Sequence, residues 1–167
     1  MIRPFILGLV LSATALGRAR AQEPVVGAPN ADALFTSRNP TLNRNKQAAY
    51  HIERDLLAAG HWELADRWLT ARYIQHNPNA ASGREGVVAY FTKVLKVQPK
   101  PIPAKLAMPV VAVVAEGEYV VVITPRTVTD AKDPSKSYTT SWFDMWRFVD
   151  GRADEHWDGA TRGPAPQ

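Results

Sequence analysis

Residues 138 to 159, Tyr-Thr-Thr-Ser-Trp-Phe-Asp-Met-Trp-Arg-Phe-Val-Asp-Gly-Arg-Ala-Asp-Glu-His-Trp-Asp-Gly, set acids and a histidine among large aromatic side chains. A carboxylate beside indole rings loses water, which raises its pKa and lets it exchange protons near neutrality. The chemistry this suits is general acid/base catalysis. Asp158 would take a proton from a carbon next to a carbonyl, and His156 would orient it or protonate the enolate oxygen. Both residues also fit a plainer description, as polar groups at an exposed strand end or, for His156, as a structural hydrogen-bonding group.

Asp150-Gly151 lies between two runs rich in Trp, Phe, Tyr, Thr and Val, the strongest short-range signal for a β-hairpin. Strand alternation then sends His156 and Asp158 to one face with Asp154 beside them, and Glu155 and Trp157 to the other. A regular two-residue turn pairs Met145 with His156 and Phe143 with Asp158. A bulge moves the pairing by one residue and brings Asp144 to that face instead. Asp144 is thus a site candidate or the ion-pair partner of Arg147.

His76 is held in an extended stretch before Asn77-Pro78, where an imidazole can turn into a pocket mouth or merely fix the turn. Tyr50, Tyr73 and Tyr90 can donate a hydrogen bond to a substrate oxygen, although aromatic residues at helical spacing usually belong to a core. His76, His156, Asp158 and Asp144 are ligands that zinc or iron accepts. The chain has four histidines and no His-x-His or His-Glu-x-x-His spacing, so neither a metal nor another cofactor is expected. A Gly-rich phosphate loop and a Gly-x-Ser-x-Gly elbow are also missing.

The elements that would carry these groups divide at Pro99, Pro101, Pro103 and Pro109 into a helical first half and a strand-rich second half. A helix is predicted from about Asn43 to Ala59 with Gly60 as its stop, and a second over Trp62 to Leu69. A third is predicted after a capping box at Ser82-Gly83-Arg84-Glu85. Pro109 to Ala115 and Tyr119 to Thr124 flank Glu116-Gly117-Glu118 as a hairpin. These strands are apolar on both sides, which calls for helices on one face and a second subunit on the other. The expected class is α+β.

At the N-terminus Arg3, the apolar run Pro4 to Leu16 and Ala19-Arg20-Ala21 form a signal-peptide pattern over residues 1–21, cut before Gln22. The run is shorter than the roughly 20 residues of a membrane span, so no stable anchor is expected after cleavage. Export to the periplasm or the medium follows. Losing Arg3, Arg18 and Arg20 brings the 20 Lys plus Arg close to balance with the 16 Asp plus Glu. The high pI is then no argument for a nucleic-acid partner. With no cysteine, disulfides and thiol chemistry are excluded. Residues 22–40 read as a flexible arm, 41–160 as one domain and 161–167 as a flexible tail.

The segment Tyr73-Ile74-Gln75-His76-Asn77-Pro78, followed by Gly83-Arg84-Glu85-Gly86 and a helix containing Tyr90-Phe91, resembles the SnoaL-like polyketide cyclase family of the nuclear transport factor 2-like superfamily. So does Asp144-Met145-Trp146-Arg147-Phe148-Val149-Asp150-Gly151 running into Glu155-His156-Trp157-Asp158. The resemblance spans roughly residues 45 to 160. It implies a cone-shaped fold, three N-terminal helices packed in a curved antiparallel sheet, with site residues at His76, Asp144, His156 and Asp158. It also implies a small hydrophobic carbonyl ligand and cofactor-free cyclase (aldol-type) or isomerase chemistry. A non-enzymatic module that holds an apolar ligand, or dimerises through its outer sheet face, is the competing expectation.

Overall fold

Asn39 opens the first helix, because its side chain accepts hydrogen bonds from the amides of Thr41 and Leu42 at 3.0 and 3.1 Å while Pro40 fills the first turn. The computed structural model describes residues 23–162, so the leader expected over residues 1–21 and the tail residues 163–167 lie outside the described residues. Helix α1 spans Pro40–His51 and continues as a π-helical stretch over Ile52–Ala58. The wider i→i+5 winding brings Ile52, Glu53, Asp55 and Leu56 all into the buried set. Gly60, at φ 78°, ends it as expected.

A 3-10 turn at Trp62–Leu64 leads through α2, Ala65–Trp68, straight into strand β1, Leu69–Gln75. The second helix is therefore shorter than its sequence suggests, and Tyr73 and Gln75 belong to a strand. Helix α3, Arg84–Ala89, continues as a π-helical stretch over Tyr90–Val94. The expected capping box is not formed. Gly83 is the N-cap with no side-chain bond, and the Ser82 hydroxyl instead accepts from the Gln75 amide at 3.0 Å.

Four further strands follow: β2 Ala112–Glu116, β3 Tyr119–Thr129, β4 Ser137–Val149 and β5 Arg152–Trp157. They form one five-stranded sheet in the order β1-β5-β4-β3-β2. Three pairings are antiparallel, but β1 runs parallel to β5, a correction to the all-antiparallel expectation. The chain between β1 and β5 contains a helix and three strands, ample length for a parallel return.

The inner face of the sheet carries Val120, Val122, Trp146 and Phe148, all fully buried beneath the helices together with Ala49, Leu56 and Val87. Cutting either large aromatic residue to Ala would cost about 3–5 kcal/mol in lost transfer and cavity. On the outer face Val114, Tyr119 and Phe143 stay exposed, at 57%, 43% and 51%.

The arm expected over residues 22–40 is in fact attached to the domain from Val25 onward. Phe35 is completely buried and meets Tyr50 edge-on at 5.4 Å, and a 3-10 turn, Asp32–Phe35, holds it there. Ala28 and Val25 donate backbone bonds to Val110 O and Thr139 Oγ1 at 2.7 Å each. One aromatic anchor and these bonds outweigh a composition that reads as unstructured.

Candidate functional site

Asp150 and Gly151 both take positive φ, 49° and 76°, and Val149 pairs with Arg152 across them, so the turn has the two-residue form that Asp-Gly favours. The register nevertheless departs from the regular one. Phe148 pairs with Ala153 and Arg147 with Glu155, which leaves Asp154 as an extra residue. This bulge pairs Trp146 with His156 and Met145 with Trp157. Of the two registers open from sequence, the shifted one is present, and Asp144, Trp146 and His156 share the inner face.

Asp154 does not join them. It lies 6% exposed among Thr70, Arg72 and Arg147, on the side away from the cavity. Its place beside His156 is thus a correction, and the bulge is the cause. Glu155 faces the same way and bonds Arg147 Nε at 3.1 Å. His76 is also on this side. Its ring stacks on Trp157 at 4.8 Å, its Nε2 is 2.9 Å from Glu155, and it does not line the cavity.

The inner side encloses a cavity of about 420 Å³, within the range of small-molecule sites. Trp62, Trp142, Trp146, Tyr90 and Phe91 supply much of its wall. Asp144, His156 and Asp158 line it too, joined by Glu53, Gln75 and Asn77. Neither Lys nor Arg is among the described residues that line it.

Hydrogen bonds fix each polar group. The Asn77 amide donates to Gln75 Oε1 at 3.2 Å, which orients that side chain and makes its oxygen the acceptor for His156 Nδ1–H at 2.7 Å. The opposite ring nitrogen, Nε2, is 3.1 Å from Asp144 Oδ1. Imidazole and carboxylate can therefore share one proton between them. Asp158 is held from two sides, by Asn77 Nδ2 at 2.7 Å and the Ala160 amide at 2.9 Å. Tyr73 accepts from Trp146 Nε1 at 3.2 Å, and burial pushes its phenol above the ordinary value, so it keeps its own proton.

Glu53 is the group the sequence reading passed over. It is 1% exposed, its Oε1 has no partner, and burial, with Asp144 nearby, pushes it up to about 8. Its signal in the sequence is faint, an acid between Ala49 and Leu56 on an otherwise apolar helix face. Gln75 and Asn77 were legible in principle. Once a strand is recognised there, they must face opposite to His76.

Asp144, His156 and Asp158 each offer one donor atom, and these atoms lie within 4.8 Å of one another. One nitrogen and two carboxylate oxygens is a set that zinc or iron accepts. It follows no sequence spacing because the residues come from β4, β5 and the segment after β5.

The family model described as the SnoaL-like domain matches residues 50–156. Among solved structures, an NTF2-like protein of unknown function from Burkholderia pseudomallei has a TM-score of 0.51 at 20% identity, covering 71% of this chain and 91% of that one. A proposed SnoaL-like polyketide cyclase from Jannaschia matches with a TM-score of 0.51 at 18% identity, over 74% and 91%. A proposed polyketide cyclase from Acidithiobacillus ferrooxidans gives 0.50 at 18% identity, over 69% and 86%. No curated protein matches the chain in sequence. The family match and the curved sheet wrapped on its helices agree, and the chain belongs to the SnoaL-like domain family, with the nuclear transport factor 2-like fold.

Proposed function

We propose that this cavity binds a small hydrophobic carbonyl compound and carries out cofactor-free acid/base chemistry on it, as a cyclase (aldol-type) or isomerase. The observation that carries the reading is the convergence of Asp144, His156 and Asp158 within 4.8 Å on the wall of an aromatic-lined cavity. Asp158, held by Asn77 and Ala160, takes the proton from the carbon next to the carbonyl. The Asp144–His156 pair holds the proton that is returned. In ring closure the resulting carbanion attacks a second carbonyl carbon, one C–C bond forms, and the new alkoxide takes up the proton. In isomerisation the proton goes back to a different carbon.

Proton abstraction can be tested without knowing the natural product. Incubation with 2-tetralone in D₂O, followed by NMR, should show α-proton exchange well above the buffer rate. Asp158→Asn should reduce it by about two to four orders of magnitude. Exchange no faster than in buffer, or undiminished in the variant, would overturn the assignment.

Two further proposals concern setting. The apolar run and the Ala19-Arg20-Ala21 site support an exported protein beginning at Gln22, which mass spectrometry of the exported product decides. The exposed outer face with Val114, Tyr119 and Phe143 supports a homodimer, which Phe143→Lys should dissociate in size-exclusion chromatography.

A further inference from the structure

Buried polar atoms in folded proteins nearly always have partners, and an exception asks for an explanation. Among the described residues three side-chain atoms lack one, and two of them, Glu53 Oε1 and Trp62 Nε1, belong to residues that line the cavity. Glu53 is the sharper case. A carboxylate there would face Asp144 with no cation beside it, whereas a carboxylic acid has a proton to give. An apolar site that keeps an acid neutral makes it a hydrogen-bond donor.

We infer that Glu53 is a ligand-binding carboxylic acid, which donates a hydrogen bond to the carbonyl oxygen of a neutral ligand and so sets which carbon faces Asp158. This rests on the carbonyl reading above and names the group that would recognise it. The lack of Lys and Arg among the described residues of the lining argues against a carboxylate or phosphate ligand, for which a cation would be the ordinary partner. Tyr73, whose oxygen is taken by Trp146 Nε1, still has its own proton and is a second donor in the same cavity. The developing negative charge on an enolate oxygen would be held by the same Glu53 proton, so the contact strengthens as the carbon proton leaves.

Other ionisable groups face the cavity beside Glu53: Asp144 from β4, His156 from β5 with Asp158 just after it, Tyr73 from β1 and Tyr90 from the stretch after α3. A pH profile is therefore informative only as the difference between wild type and a Glu53 variant.

The test compares 2-tetralone with tetralin, which differ by one carbonyl oxygen, by calorimetric or fluorescence titration. Wild type at pH 6 should bind 2-tetralone about tenfold or more tightly than tetralin. The preference should fade between about pH 7 and 9, as Glu53 loses its proton. Glu53→Gln, which still donates, should keep the preference and flatten that pH dependence. Glu53→Leu should cut it sharply, to no more than the Tyr73 donor supplies. Equal affinities in wild type, no binding of either compound, a preference undiminished at pH 10, or a preference intact in Glu53→Leu would each overturn the inference. If Glu53→Leu fails to fold, the wild-type and Glu53→Gln pH profiles decide alone. Binding and exchange fail separately. A Glu53-dependent preference without α-proton exchange removes the proposed reaction and leaves this inference standing, whereas exchange without the preference does the reverse.

Discussion

Acids stand on both faces of the sheet around strand β5, and the two faces treat them in opposite ways. On the outer side the Arg72 guanidinium, with Thr70 and Arg147, holds Asp154 below the usual carboxylate range, and His76 with Arg147 does the same for Glu155. On the inner side Glu53, Asp144 and Asp158 share a cavity with no Lys or Arg among the described residues that line it, and Glu53 is pushed up to about 8. The contrast teaches how to sort acids in such a fold. An acid that the fold supplies with a cation is bound up in structure, while one left facing an apolar space retains its capacity to move a proton or meet a ligand.

The strongest way to break the comparison is to neutralise one acid on each face. Asp144→Asn should lower 2-tetralone exchange by about two to four orders of magnitude, as loss of an acid/base group does. Glu155→Gln should leave exchange within about threefold of wild type, since its partners Arg147 and His76 lie outside the cavity. Comparable losses in both would mean that the outer cluster also serves the reaction.

Stability against pH separates the faces by sign. Folded Glu53 keeps its proton to about 8, whereas the unfolded chain releases it near the ordinary 4.5. The folded state then holds more protons across that window, so this contribution is fully present below about 4.5 and lost as pH rises through 8. Asp154 and Glu155 have lowered values, so their contribution is present above the ordinary carboxylate range and lost as pH falls. Glu53→Gln should flatten the stability profile between pH 5 and 8, a change on the order of a few kcal/mol at most, read as a flatter melting temperature across that window. A wild-type melting temperature that rises across that window with no change in the variant would count against a neutral Glu53.

Asp154→Asn is expected to lower stability by about 1–3 kcal/mol, reading as a lower denaturant midpoint. Asp154 and Arg147 are largely buried, but Arg72 is more than half exposed and screens its share. An unchanged midpoint would show that the outer cluster is no more than a surface decoration. The smallest effect is expected from a chelator. EDTA should leave 2-tetralone exchange unchanged, and a loss restored by zinc would hand Asp144, His156 and Asp158 to a metal instead.

Much of this was legible in the residues, and the rest was hidden for identifiable reasons. Asp150-Gly151 and Gly60 announced themselves because their positive φ is a local demand that few residues meet. The candidate groups Asp144, His156 and Asp158 stood out as polar residues in apolar runs, and all three line the cavity. Strand β1 was hidden because its partner is β5, far along the chain, and its own sequence has no clear alternation of apolar and polar residues. The capping-box pattern at Ser82 misled because the hydroxyl found the Gln75 amide, a tertiary partner, in place of its own helix. Phe35 looked like part of an unstructured arm since a single buried ring leaves no period to detect.

The extra residue at Asp154 has a consequence for how the chain tolerates change in length. Between Val149 and His156 the strand contains one residue more than its partner can use, and everything after it is counted from that surplus. Removing Asp154 would close the pairing into a regular ladder and still deliver His156 and Asp158 inward. Adding a residue there without a second bulge would turn Glu155 and Trp157 into the cavity and send the histidine to the solvent. The segment therefore works as a reading frame for side chains, forgiving of a loss of one and intolerant of a gain of one.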